Sequence, residues 1–308
     1  MLCTINDFSI YSGVIMQTIQ KGILATENKF ARYMSFNLAD TETVKESLIA
    51  LQDAVDGESV VVGFGQSVTK VFGVEISGLK PMPAYSSAGI DIPSTPCALW
   101  LWLRGVDRGE LFHRSRKLEL LLEPAFELTD VIDSFKYSEN RDLSGYIDGT
   151  ENPQDDEAIK TAIVSGQGEG LDGSSFVAVQ QWLHNFDVLS SMNEKEKDDA
   201  IGRHVSDNEE FDEAPDSAHV KRSAQESFSP EAFVLRRSMP WAEGMDAGLI
   251  FVAFGQSFAA FDAILKRMIG DEDGIHDALF NFTKPITGSY LWCPPMKGAK
   301  LDLSKLGL

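Results

Sequence analysis

Five histidines and three cysteines in 308 residues leave few side chains able to ligate a metal or act as a nucleophile. Cys3, Cys97 and Cys293 are odd in number and widely spaced, which is no disulfide framework and reads as idle thiols in a reducing cytosol. No His-Glu-x-x-His or Cys-x-x-Cys occurs, so the familiar zinc spacings are missing. His113 lies among Arg114, Arg116 and Lys117, His184 ends an apolar run, His204 enters an acidic segment, and His276 follows Asp271, Glu272 and Asp273. Each reads as a surface residue. His219 differs, because it follows the acidic segment and opens a new element with Val220, Lys221 and Arg222. Taken alone it suits a ligand or, more commonly, a structural role.

Among the acids, Asp148 has the most distinctive setting, Ser144-Gly145-Tyr146-Ile147-Asp148-Gly149-Thr150-Glu151-Asn152-Pro153. Asp148-Gly149 and Asn152-Pro153 each read as turns. An aspartate between glycines also suits a place where backbone approaches a ligand and the carboxylate points into a cavity. Gly65-Gln66-Ser67 and Gly255-Gln256-Ser257 resemble nucleophile elbows but lack the second glycine. Gly166-Gln167-Gly168-Glu169-Gly170 carries an acid where a phosphate loop needs none, and no Lys-Ser or Lys-Thr follows.

The elements that must position these residues follow from periodicity. In the first half, Ala31 to Leu38 reads as a strand and Thr41 to Val55 as a helix with Val44, Leu48, Ile49 and Leu51 on its apolar face. Val60 to Phe64 and Ala98 to Leu103 read as strands, Asp107 to Leu122 as a helix capped by Asp107, and Ala125 to Phe135 as extended. In the second half, Ser175 to Leu183, Ala232 to Arg237 and Leu249 to Phe254 read as extended, with helices over Asn193 to Ile201 and Phe258 to Ile269. The shared Phe-Gly-Gln-Ser after two apolar runs suggests a duplication. The fold class expected is α+β, two tandem ferredoxin-like βαββαβ units with antiparallel sheets. Their bounds are 1–143 and 144–308, the second including the Asp148 loop. Residues 144–173 show no periodicity and read as one long polar connection.

Forty-seven acidic against twenty-seven basic residues give a net charge of −20, which repels phosphate backbones and argues against nucleic acid. Residues 194–216 alone hold ten acids and three bases, a solvated and mobile face. No secretory signal or bilayer-length apolar run is read, so the expectation is a cytoplasmic protein without a membrane partner.

Gly145-Tyr146-Ile147-Asp148-Gly149 with Thr150-Glu151-Asn152-Pro153, His219 with Val220 and Arg222, and Leu235-Arg236-Arg237-Ser238-Met239-Pro240 together resemble the dye-decolourising peroxidases. Leu249 to Phe254 and Asp277 to Gly288 are similar to the family's C-terminal signature. The resemblance implies one haem b per chain and peroxide-dependent oxidation of dyes, phenols or porphyrinogens through a ferryl intermediate. It implies His219 as the iron ligand, Asp148 as distal acid–base, and Arg236 and Ser238 beside it, with Ser238 in a place where relatives often carry an amide. It implies Asp277 behind the proximal imidazole, Arg203 on a haem propionate, and Thr150 and Asn152 along the haem edge. A homo-oligomer is also implied, and the apolar tail Leu301 to Leu308 suits, in that order, packing on its own domain, docking on a neighbour or docking inside an encapsulating shell.

Two rivals stand beside it. One is a haem carrier or porphyrin-handling protein. The other is a non-haem iron protein built on His204, His219 and an acid of the nearby loop.

Overall fold

The computed structural model describes residues 18–26, 28–87 and 89–308, so Cys3 and the stretch read for a signal lie outside the described residues. Eight strands carry the architecture: β1 (Phe30–Leu38), β2 (Val60–Phe64), β3 (Leu99–Gly105), β4 (Phe126–Phe135), β5 (Ser175–His184), β6 (Met239–Glu243), β7 (Asp246–Gly255) and β8 (Ser289–Cys293). Their hydrogen-bonded order is β5-β8-β2-β3-β1-β4-β6-β7, all antiparallel, and β7 pairs back onto β5. The expected sheets therefore join into one closed, barrel-like surface. Its two seams are narrow, Trp292 opposite Phe64 and Ser134 opposite Trp241. Closure removes the edges that two separate sheets would leave unpaired.

The first four strands run 2-3-1-4, and the last four run 8-5-7-6, the same order read from the opposite end. Helices Val44–Ala54 and Arg108–Leu122 follow β1 and β3, and helix Ala259–Met268 follows β7. Asp107 caps its helix as expected, accepting the Glu110 amide at 2.9 Å. Ile49 departs from expectation and is exposed, while Val44, Leu48 and Leu51 are buried.

The two Phe-Gly-Gln-Ser copies fall on β2 and β7, the second strand of one set and the third of the other. They are not equivalent positions, so the match reflects a shared strand-to-helix turn and does not mark a duplication. Residues 144–173 are also not one loop. Asp155–Ala162 is a helix with Asp155, Asp156 and Glu157 in its first turn, a charge pattern that favours an N-terminus.

Alternation along the strands splits the side chains between two faces. Tyr33, Val61, Trp100, Trp102, Val177, Val252, Phe254 and Leu291 belong to one buried cluster, which fills the barrel. Met34, Phe36, Leu101, Leu103, Phe126 and Ala253 face outward and meet the helices. In the tail, Leu301, Leu303 and Leu306 pack into this second cluster of the chain's own core. Among the described residues no helix is long and apolar enough to cross a membrane.

Candidate active site

Leu249 lies opposite Trp182 and Phe251 opposite Gln180, so these four side chains share the outer face of β5 and β7. Phe261, Ile264, Leu265 and Met268 of helix Ala259–Met268 stand across from them, and a cavity of about 310 Å³ lies between. Asp142, Asp148, Thr150, His184, Arg203, His219 and Arg236 complete its walls.

His219 opens the single-turn helix His219–Arg222, which is too short to hold itself. Buried Arg222 anchors it, donating from Nη1 and Nη2 to Asp273 at 2.8 Å each and from Nη2 to the Arg267 carbonyl at 2.6 Å. The same fork holds the Asp273 carboxyl down to about 2. Gly202 ends helix Glu194–Ile201 with φ 91°, and a Cβ there would lie 2.2 Å from Val220, so glycine permits the approach of the His219 turn. His219 Nδ1 lies 2.7 Å from Asp277 Oδ2, and Asp277 Oδ1 accepts the Leu279 amide at 2.8 Å. A carboxylate at Nδ1 fixes the proton there and leaves the Nε2 lone pair for the cavity.

Asp148 is fixed through its main chain. Its amide donates to the Asn140 carbonyl at 3.0 Å, and its carbonyl accepts from Asn140 Nδ2 at 3.2 Å. Arg236 Nη1 lies 3.6 Å from Asp148 Oδ1. Among the described residues, the buried Arg236 Nε and Gln180 Nε2 find no hydrogen-bond partner.

The loop before Asp148 is pinned to the barrel and to the helices. Asp142 sits 3.0 Å from His184 Nε2, while His184 Nδ1 is 2.7 Å from Thr283 Oγ1. His184 is therefore buried with both nitrogens engaged, a correction to its reading as a surface residue. The signal was present, because residues 180, 182 and 184 share one face of a strand. Burial pushes the Asp142 carboxyl up, but hydrogen bonds from His184 and Ser144 outweigh it and bring it below the ordinary range. Tyr146 donates its hydroxyl to Asp198 Oδ1 at 2.6 Å, and His204 Nδ1 is 2.9 Å from Asp198 Oδ2. Burial, and then the Asp198 carboxylate, push the Tyr146 hydroxyl well above its usual value.

Five of the eight residues singled out from the sequence, Asp148, Thr150, Arg203, His219 and Arg236, meet in the cavity wall, and Asp277 stands directly behind His219. Ser238 and Asn152 do not line it. Ser238 is buried against β7, where its hydroxyl accepts the Val252 amide at 3.4 Å. Asn152 instead bonds the Arg236 main chain, with Nδ2 donating to the carbonyl at 3.0 Å and Oδ1 accepting the amide at 2.8 Å. Arg203 Nη2 already meets Glu151 at 2.8 Å and Glu210 at 3.0 Å, and its Nη1 donates to the Asn208 carbonyl. The acidic segment is thereby folded onto Arg203. Sequence reasoning missed Gln180, the Arg222 fork and the Asp142–His184 pair.

His204 stacks on Phe211 and does not reach toward His219 as the non-haem iron reading needs. Among the described residues, no group of three or more His, Cys, Asp or Glu side chains is placed to hold a metal ion. What the cavity offers is one free imidazole lone pair, an apolar slot, and a carboxylate beside a guanidinium. Comparison with known proteins decides what such a slot belongs to. A family model described as Dyp-type peroxidase, C-terminal, matches residues 139–298.

The chain belongs to the dye-decolourising peroxidase family. With that membership comes the enzyme class, an oxidoreductase with peroxide as acceptor. A dye-decolorizing peroxidase of Rhodococcus erythropolis is 29% identical over 265 residues, 83% of this chain and 77% of that protein. One of Brevibacterium linens is 27% identical over 224 residues, and the match spans 61% of its length. Among solved structures, a dye-decolorizing protein from V. cholerae is 27% identical with a TM-score of 0.78, over 89% of this chain and 96% of that one. A variant of Rhodococcus jostii DypB in complex with heme, 24% identical, shares the fold with a TM-score of 0.79, over 88% and 94% of the two chains.

Proposed function

We propose that this dye-decolourising peroxidase binds one haem b in the cavity, ligated by His219, and uses hydrogen peroxide to oxidise small organic donors such as dyes, phenols or porphyrinogens. The reading is supported most by His219, whose Nδ1 is tied to Asp277 while Nε2 is left for the cavity. The fit to a flat, largely apolar group rests on the facing side chains of β5, β7 and helix Ala259–Met268, and on two buried donors, Arg236 Nε and Gln180 Nε2, that lack partners.

When bound, haem supplies the redox chemistry, taking two oxidising equivalents from peroxide and passing them on one at a time to donors. The chain's residues supply the proton and charge handling. Asp148 accepts the proton of one peroxide oxygen and returns it to the other as the O–O bond breaks, the work of a positioned general acid–base. Arg236 stabilises the negative charge that develops on the departing oxygen and keeps its own proton throughout. Asp277 fixes the His219 tautomer and raises the basicity of Nε2. Arg203 is the partner for a haem carboxylate, which must displace Glu151 or Glu210 from the guanidinium. Thr150 borders that edge. The matching strand orders support reading residues 1–143 and 144–308 as two ferredoxin-like units.

The test is the absorption spectrum of the purified protein. A Soret band that disappears in His219→Ala, together with peroxide-dependent bleaching of a phenolic dye, is expected. A band unchanged by that substitution overturns the ligand assignment.

A further inference from the structure

The Asp148 loop and the Arg236 strand come from distant parts of the chain, yet the two side chains must sit together for the chemistry above. Asn152 joins them. Its amide bonds both main-chain groups of Arg236, the pattern that a neighbouring strand would make. The Arg236 carbonyl has another donor, Arg237 Nη1 at 3.1 Å, but among the described residues the Arg236 amide finds its acceptor in Asn152 Oδ1. Glycine at 149 is needed for this arrangement on two counts. Its φ is 81°, and a Cβ there would lie 2.8 Å from Asn152 Nδ2. The residues on either side of this link are anchored elsewhere, Asp148 to Asn140 and Glu151 to Arg203. Asn152 is therefore the direct hydrogen-bonded connection between the loop that carries the acid and the strand that carries the cation.

We propose that Asn152 is a positioning residue that sets Arg236 against Asp148 by holding the Arg236 amide, and that it makes no contact with the bound group. The proposal rests on the roles given above to Asp148 and Arg236. Side-chain amides that complete an interrupted strand pairing are rigid, because donor and acceptor act in one plane, and a rigid first contact is what a proton-transfer site requires.

Three substitutions of Asn152 test it in the haem-loaded protein, with Asp148→Asn and Arg236→Leu as references. Asn152→Leu, which keeps the volume and removes the acceptor, and Asn152→Ala are expected to slow the bimolecular reaction with peroxide at least ten-fold while leaving the Soret maximum in place. Asn152→Asp, which keeps the acceptor for the Arg236 amide, is expected to recover the rate to within about three-fold. In the protein without haem, hydrogen exchange of the segment 234–238 is expected to speed at least ten-fold in Asn152→Leu, with 175–184 unchanged. Wild-type peroxide rates in Asn152→Leu alongside slow reference variants overturn the positioning role alone. So does an Asn152→Asp rate as low as that of Asn152→Leu, or unchanged exchange at 234–238. Wild-type rates in both references overturn the underlying reading of the site, and the positioning role with it.

Discussion

Asp277 holds two groups at once, His219 Nδ1 at 2.7 Å through Oδ2 and the Leu279 amide at 2.8 Å through Oδ1. Its side chain is fully enclosed, so the carboxylate cannot turn away from either partner. Replacing it by asparagine keeps the shape and removes the charge. Asp277→Asn is expected to weaken haem binding by roughly 10–100-fold, the usual effect of losing a carboxylate behind a metal-bound imidazole. Haem titration followed by Soret absorbance measures this. The midpoint potential of the bound iron should also move positive, because a neutral partner makes Nε2 a weaker donor.

Asp148 and Arg236 are expected to separate binding from chemistry. Asp148→Asn should lower the rate of reaction with peroxide by about 10²–10⁴, the contribution of a positioned acid–base, with the haem spectrum intact. Rapid mixing with peroxide reads both. A wild-type rate in this variant would remove the acid–base role.

The Asp198–His204 pair gives a pH window for stability. Burial raises the Asp198 carboxyl, but bonds from Tyr146, His204 and the Val205 amide outweigh it and leave it lowered. A lowered acid stabilises fully above its ordinary value of 3.8, and that contribution fades as pH falls through the lower folded value. The Asp198 hydrogen bond raises His204, whose contribution is full below 6.5 and fades as pH rises through the higher folded value. Wild type should therefore exceed His204→Ala in melting temperature most clearly near pH 5, with the gap narrowing as pH rises above 6.5. Differential scanning calorimetry over a pH series on both sides of 6.5 checks the sign.

Tyr146→Phe removes the hydroxyl bonded to Asp198 and leaves the other two pairings of that carboxylate in place. The expected cost is about 1.5–3 kcal/mol in unfolding free energy, typical of one hydrogen bond to a charged group. Urea unfolding reads it directly.

Glu151, Glu210 and Glu226 border the cavity of a chain with net charge −20. Cationic dyes should show a lower KM than matched anionic ones at low ionic strength, and added salt should narrow the difference. Equal KM values at low salt would rule out this steering.

The local elements of the fold are legible in the sequence. The strand and helix patterns of 31–64 and 98–135 are strongly periodic, and the elements appear within a few residues of their expected ends. His219 and Asp148 stand out only through the family resemblance, since on their own settings one reads more readily as structural and the other as a turn. What the sequence hid was longer in range. Closure of the sheets rests on single pairs such as Trp292 with Phe64, which no local pattern announces. The resemblance implies Asn152 along the haem edge and its place before proline reads as a turn, whereas its amide bonds a strand 84 residues away. His184 ends its strand, a usual place for exposure, yet the loop that returns with Asp142 covers it.

Every residue in the cavity wall lies between Asp142 and Thr283, and the interior of the barrel is filled separately by side chains such as Trp100, Trp102 and Phe254. Acquiring the cofactor is on this plan a docking event on a finished scaffold, unlike a zinc finger, whose metal is its core. The apoprotein should melt cooperatively as a barrel, be able to give up and regain its prosthetic group without passing through an unfolded chain, and accept a replacement porphyrin by simple exchange.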